Sequence, residues 1–239
     1  MRIGSDFDKM EFSWFGLDLL EPNALLTDTL ISIFAFTFAI LVAKNFPRQP
    51  FYNRWKWLFI LQGASFFLGG FGHVLYNYTG VWGKFVPMIF ATGFVMMVEH
   101  SMLTLIPESK RKIFLTLSKV KAGITLSILT TMMFTMDVEN NLPKLLLVPS
   151  LNTTIGYFAT QFFLGIKYGR TKSRALYLLP ISVLVLVPAG IFQIMKINFH
   201  PWFDRNDAGH LLIVISLFLY YFAIKGYYRD TKEVITAES

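Results

Sequence analysis

His73 and His210 are two of only four histidines in a chain of 239 residues, and both stand in or beside strongly apolar stretches. His210 closes the run Asp204-Arg205-Asn206-Asp207-Ala208-Gly209-His210. Ionisable side chains at lipid depth are costly, so they mark the first place to look for chemistry. Two neutral imidazoles brought together would hold a zinc ion and activate a bound water to hydroxide. Asp207 precedes His210 by three residues, which puts both on one face of a helical turn. A carboxylate there would ligate the metal, orient an imidazole or take the proton of the attacking water. Asp204 and His200 would assist from the adjoining loop. The competing reading is structural: Asn206 or Asp207 is an ordinary N-cap ahead of an apolar helix, and the histidines bond backbone carbonyls or sit among headgroups.

The elements that must position these residues are membrane helices. Hydrophobic residues make up 54% of the chain and charged residues 15%, with a mean hydropathy of +0.50. Soluble domains carry roughly a quarter charged residues. A spanning helix needs about 20 apolar residues, and seven stretches meet that need: 24–43, 57–78, 82–106, 119–136, 145–166, 175–195 and 208–228. The fold class expected is all-α, a polytopic seven-transmembrane helix bundle over 24–228, with an extracytoplasmic segment 1–23 and a cytoplasmic tail 229–239. Sixteen Lys and Arg fall on the side of the loops after spans one, three and five, and six on the other. The positive-inside rule therefore puts the N-terminus outside, in a cell membrane. The same placement accounts for the net charge of +7, so no nucleic-acid partner is expected. With no cysteine, a metal would rest on His, Asp, Glu or hydroxyl ligands.

Phe7, Met10, Trp14 and Leu17 are spaced as one face of a short helix lying on the outer surface; a lid over an outward site is the alternative. Glu99-His100 falls near the cytoplasmic end of span three, where Glu99 would pair with Lys or Arg from the cytoplasmic loops, or serve as a proton relay or substrate-tail anchor. Ser150, Thr154, Tyr157 and Gln161 form a polar stripe on span five, expected to face the bundle interior. The glycines around His73 permit close helix packing and leave room for a ligand.

In these residues the chain resembles the CREST superfamily of seven-span membrane hydrolases, which includes alkaline ceramidases and the progestin and adipoQ receptors. That pattern has one histidine on span two, a His-x-x-x-His pair on span seven, a serine one turn before the first histidine and an aspartate on span three. His73 fits the span-two ligand and His210 the second span-seven histidine. Asn206 stands where the first span-seven histidine belongs, giving a divergent Asn-Asp-x-x-His form. Gly69 occupies the serine position, and the nearest upstream serine is Ser65. Lys84 is the one charge early in span three. The resemblance implies a zinc-dependent hydrolase of a lipid amide or ester near the extracytoplasmic face, with His73, His210 and Asp207 as metal and catalytic residues and a membrane lipid as substrate. The alternative is a non-enzymatic, receptor-like seven-span protein in which the same residues form a buried polar network.

Overall fold

The computed structural model describes residues 7–237; 1–6 and 238–239, with Arg2 and the extreme ends of both termini, lie outside the described residues. Strands β1 (Glu11–Trp14) and β2 (Leu17–Leu20) precede helices α1 (Pro22–Asn45), α2 (Pro50–Val74), α3 (Tyr76–Thr79), α4 (Phe85–Leu103), α5 (Glu108–Thr135), α6 (Leu142–Gly156), α7 (Phe163–Thr171), α8 (Leu178–Met195) and α9 (Arg205–Ala237). A 3-10 turn, Gly80–Lys84, joins α3 to α4, a second, Arg174–Tyr177, precedes α8, and a π-helical turn, Tyr157–Phe162, joins α6 to α7. Among the described residues six helices are long and apolar enough to cross a membrane, so the chain is an all-α, multi-pass membrane protein.

Prolines set several helix starts. Pro22 and Pro50 stand in the first helical turns of α1 and α2, where the missing N–H has no intrahelical acceptor to lose. The helices pack as neighbours in the pairs α1 with α2, α2 with α4, α8 with α9, and α1 with α9. Trp55, Phe59, Val95, Leu179, Leu217 and Ile31 form part of their common core. Outward faces stay apolar: Leu147, Leu151 and Ile155 recur along α6 and are exposed, as a lipid-facing stripe would be.

The N-terminal segment is not the expected surface helix. Residues 11–20 make a two-stranded antiparallel hairpin with Trp14 opposite Leu17. Phe15 and Gly16 both take positive φ, 49° and 75°, the two-residue turn whose twist matches paired strands. The exposed tip carries Trp14 and Phe15. Behind it, the Asp18 N–H donates to Tyr78 Oη at 2.9 Å and Asn77 Nδ2 donates to the Asp18 carbonyl at 3.0 Å, fastening the hairpin to α3.

The span-five stripe also divides. Tyr157 and Gln161 are buried, but Ser150 and Thr154 are exposed and Asn152 and Thr160 point inward instead. Pro149 lies inside α6 and the π turn follows it. A π turn inserts a residue and rotates the inward face, so a constant helical spacing does not hold through this segment.

Candidate functional site

The hairpin, both ends of the α2–α4 connection and the start of α9 meet at one end of the bundle. There α9 begins at Arg205, earlier than the apolar run, and Asp204 is its cap. Asp204 Oδ1 accepts the Asn206 and Asp207 N–H groups at 2.6 and 3.3 Å, and Asp207 Oδ2 accepts the Asp204 N–H at 3.0 Å. This is a reciprocal capping box with an aspartate in each role. The expected cap at Asn206 or Asp207 is thus corrected: Asp204 caps, and Asp207 is its partner one turn on.

Asp207 does more than cap. Asn23 Nδ2 donates to its Oδ2 at 2.6 Å and Thr27 Oγ1 stands 3.0 Å from its Oδ1. The Thr27 hydroxyl is also 2.8 Å from His210 Nδ1, and His210 Nε2 faces Asp28 Oδ1 at 3.3 Å. The same hydroxyl stands 3.2 Å from the Asn23 and Ala24 carbonyls, so its one hydrogen has several acceptors within reach. Asp207, Thr27 and His210 thus form a hydrogen-bonded chain, with Asp28 beside its far end. The ring of Phe66, edge-on to His210 with centroids 5.7 Å apart, walls its other side.

His73 belongs to the neighbouring group. Its Nδ1 lies 2.5 Å from Glu21 Oε2, and Lys84 Nζ lies 3.2 Å from Nε2 and 3.3 Å from Nδ1. A neutral ring with its hydrogen on Nδ1 gives to the carboxylate, and the ammonium, nearly equidistant from both nitrogens, lies against the ring face. Glycines deliver Lys84 to this place. Gly72 of α2 packs on the Gly83 carbonyl so tightly that an added Cβ would lie 2.7 Å from the oxygen. Gly80, at φ +54°, lets the Val81 N–H reach Glu139 Oε1 at 2.7 Å.

Lys9 ties the hairpin side to the rest. Its Nζ lies 2.6 Å from Glu21 Oε1 and 2.5 Å from Asp204 Oδ2. Glu21 is only 1% exposed and takes φ 49°, a conformation a residue with a side chain holds only when its surroundings fix it. The Glu21 N–H donates to the Met10 carbonyl at 2.8 Å. Burial opposes the Glu21 charge, but His73, Lys84 and Lys9 outweigh it and hold the carboxyl well below the usual carboxylate range. For Lys9 burial again opposes, and Glu21 and Asp204 hold the ammonium above its ordinary value.

The expected residues therefore separate. His73, His210, Asp207 and Asp204 all reach this cluster. Asn206 points to Gln193, whose Nε2 donates to its Oδ1 at 2.8 Å. Ser65 donates to the Pro87 carbonyl at 2.8 Å, joining α2 to α4 away from the cluster. His200 is exposed and accepts the Trp202 N–H at 3.2 Å. Glu99 pairs with Lys121 at 2.6 Å and accepts from Ser118, forming a separate link between α4 and α5. Lys9, Glu21, Asn23, Thr27, Asp28 and Lys84 were not among the expected site residues. Glu21 and Asp28 are the only carboxylates between Asp18 and Glu99, and that scarcity was the available signal.

A zinc ion needs three or four donors converging at about 2 Å. Among the described residues no group of three His, Cys, Asp or Glu side chains is placed to hold a metal. Both nitrogens of His73 face Glu21 and Lys84, and both of His210 face Thr27 and Asp28. The donor set as arranged does not fit zinc; the Lys84 ammonium stands against His73 instead.

No curated protein and no solved structure matches this chain. A family model does, over residues 23–229, a range holding every helix from the second turn position of α1 to the last apolar turns of α9. The chain belongs to that family, DUF6962, a family of unknown function.

Proposed function

We propose that this chain is a receptor-like, non-enzymatic seven-span protein whose outward polar cluster is a latch completed by its own cations. Span five, which brings the count to seven, is α6, the π turn and α7, which run 15, 6 and 9 residues without interruption. At the helical rise that length reaches about 45 Å. The excess of Lys and Arg at the other end of the bundle supports an extracytoplasmic hairpin.

One observation carries the reading: Lys9 joins Glu21 and Asp204, while Glu21 joins His73. The segment before α1 is held to α2 by the Glu21–His73 hydrogen bond and to the start of α9 by the Lys9–Asp204 ion pair, over a line of acid and base groups. Releasing it would bring Asp28, His73 and His210 into contact with water. The absence of cysteine permits a direct test. Spin labels at Leu17→Cys and Ile89→Cys, both exposed sites, report the hairpin's distance from α4. One narrow distance is expected in the otherwise unaltered chain and a broad, longer distribution after Lys9→Met; an unchanged distribution in that variant contradicts the latch.

The second reading, a hydrolase of a lipid amide or ester, is favoured by the His210–Asp28 approach of 3.3 Å. A carboxylate beside an imidazole is the kind of acid–base pair that activates water.

A further inference from the structure

The opposite end of the bundle holds a cavity of about 910 Å³ between the end of α1, the turn Arg174–Tyr177 and α9. Its walls combine Phe46, Leu178 and Tyr221 with three cations, Lys225, Arg229 and Lys232. These cations are four and seven residues apart along α9, so they share one helical face. Lys225 makes no ion pair among the described residues. Arg229 meets Asp230 at 3.1 Å, outside the lining, and Asp230 also accepts from Ser173 at 2.5 Å. Among the described residues no carboxylate lines the cavity.

Depth selects the occupant. A helix of about 20 residues crosses the roughly 30 Å hydrocarbon layer. Counting from Arg205, α9 reaches that length at Lys225 and continues to Ala237. The cationic ladder therefore starts where acyl chains give way to headgroups, with aromatic and aliphatic walls on the hydrocarbon side. A second cavity of about 510 Å³ repeats the chemistry with Arg111, Lys167 and Lys172, but both lysines there already lie over the Tyr168 ring.

We propose that the larger cavity binds an anionic phospholipid, its phosphate between Lys225 and Arg229 and its chains along Phe46 and Leu178. Basic pockets between helices at a membrane face recognise lipid headgroups in this way.

The test uses full-length protein, delipidated in neutral detergent and titrated with phosphatidylglycerol, phosphatidylcholine or inorganic phosphate while bound lipid is counted by native mass spectrometry and thermal stability is followed. Phosphatidylglycerol is expected to bind at least about tenfold more tightly than phosphatidylcholine, and inorganic phosphate to leave stability unchanged. The triple variant Lys225→Gln, Arg229→Gln, Lys232→Gln should lose the preference, and Lys167→Gln with Lys172→Gln should keep it. Lys225→Gln alone, at an exposed position, should weaken it several-fold and covers the case of a triple variant that does not fold. Equal binding of the two lipids, or a preference undiminished in Lys225→Gln, overturns the site; a saturating response to inorganic phosphate overturns the lipid as its occupant.

Discussion

Lys84 Nζ lies within 3.3 Å of both ring nitrogens of His73, so an ammonium rests against the imidazole face, and its charge opposes a metal cation on that ring. Glu21, Asp28, Asp204 and Asp207 surround this region, with Lys9 as the second ammonium. Lys84→Met removes a counter-charge that these carboxylates need. The expected loss is about 2 to 3 kcal/mol of stability, from carboxylates left without compensation, read as a lower midpoint of thermal unfolding in detergent.

The α9 cap separates two neighbouring positions. Asp204→Ala loses the cap and the Lys9 pair together, a cost of about 1 to 3 kcal/mol. Asn206→Ala loses only its bond from Gln193 and should stay within about 0.5 kcal/mol of the parent. Equal effects of the two substitutions in chemical or thermal unfolding would show that the capping box contributes nothing.

Packing beneath the cluster depends on Gly72. Gly72→Ala would place a methyl 2.7 Å from the Gly83 oxygen, and overpacking against backbone costs about 1 to 3 kcal/mol. Nothing lies within 4 Å of a Cβ at Gly123, so Gly123→Ala, inside α5, should be neutral or gain up to about 1 kcal/mol of helix propensity. Paired unfolding curves of the two variants give the contrast.

The latch has a defined pH window. Glu21 titrates below its unfolded value, so its contribution is present above about pH 4.3 and fades as pH falls toward its folded value. Lys9 titrates above its unfolded value, so its contribution is full below about pH 10.4 and is lost as pH rises through the folded value. The stability difference between the parent and Glu21→Gln should hold from about pH 5 to pH 10 and shrink below pH 4. Unfolding midpoints measured across that range check both limits.

Membrane helices were legible because hydrophobic length alone specifies them, and His73, His210, Asp204 and Asp207 were legible because polar residues are scarce at such depth. Their partners were not. Lys9 and Glu21 lie outside any apolar run and enter through the hairpin, whose turn at Phe15-Gly16 depends on φ values that helical spacing conceals. Asp28 and Thr27 sit within α1, where a lone carboxylate has meaning only once α2 and α9 are packed beside it. Lys84 was visible as an isolated charge, but its arrival at His73 depends on Gly72 of α2 meeting Gly83 of the 3-10 turn. Span five misled for a local reason: the π turn after Pro149 shifts the phase of its inward face.

The most direct test of a site completed by the chain's own cations is the zinc content of full-length protein purified without chelators, measured by elemental analysis beside His73→Ala and His210→Ala. The expected result is zinc far below one ion per chain in all three proteins. About one zinc per chain in the parent, lost in both variants, would contradict it and favour the hydrolase.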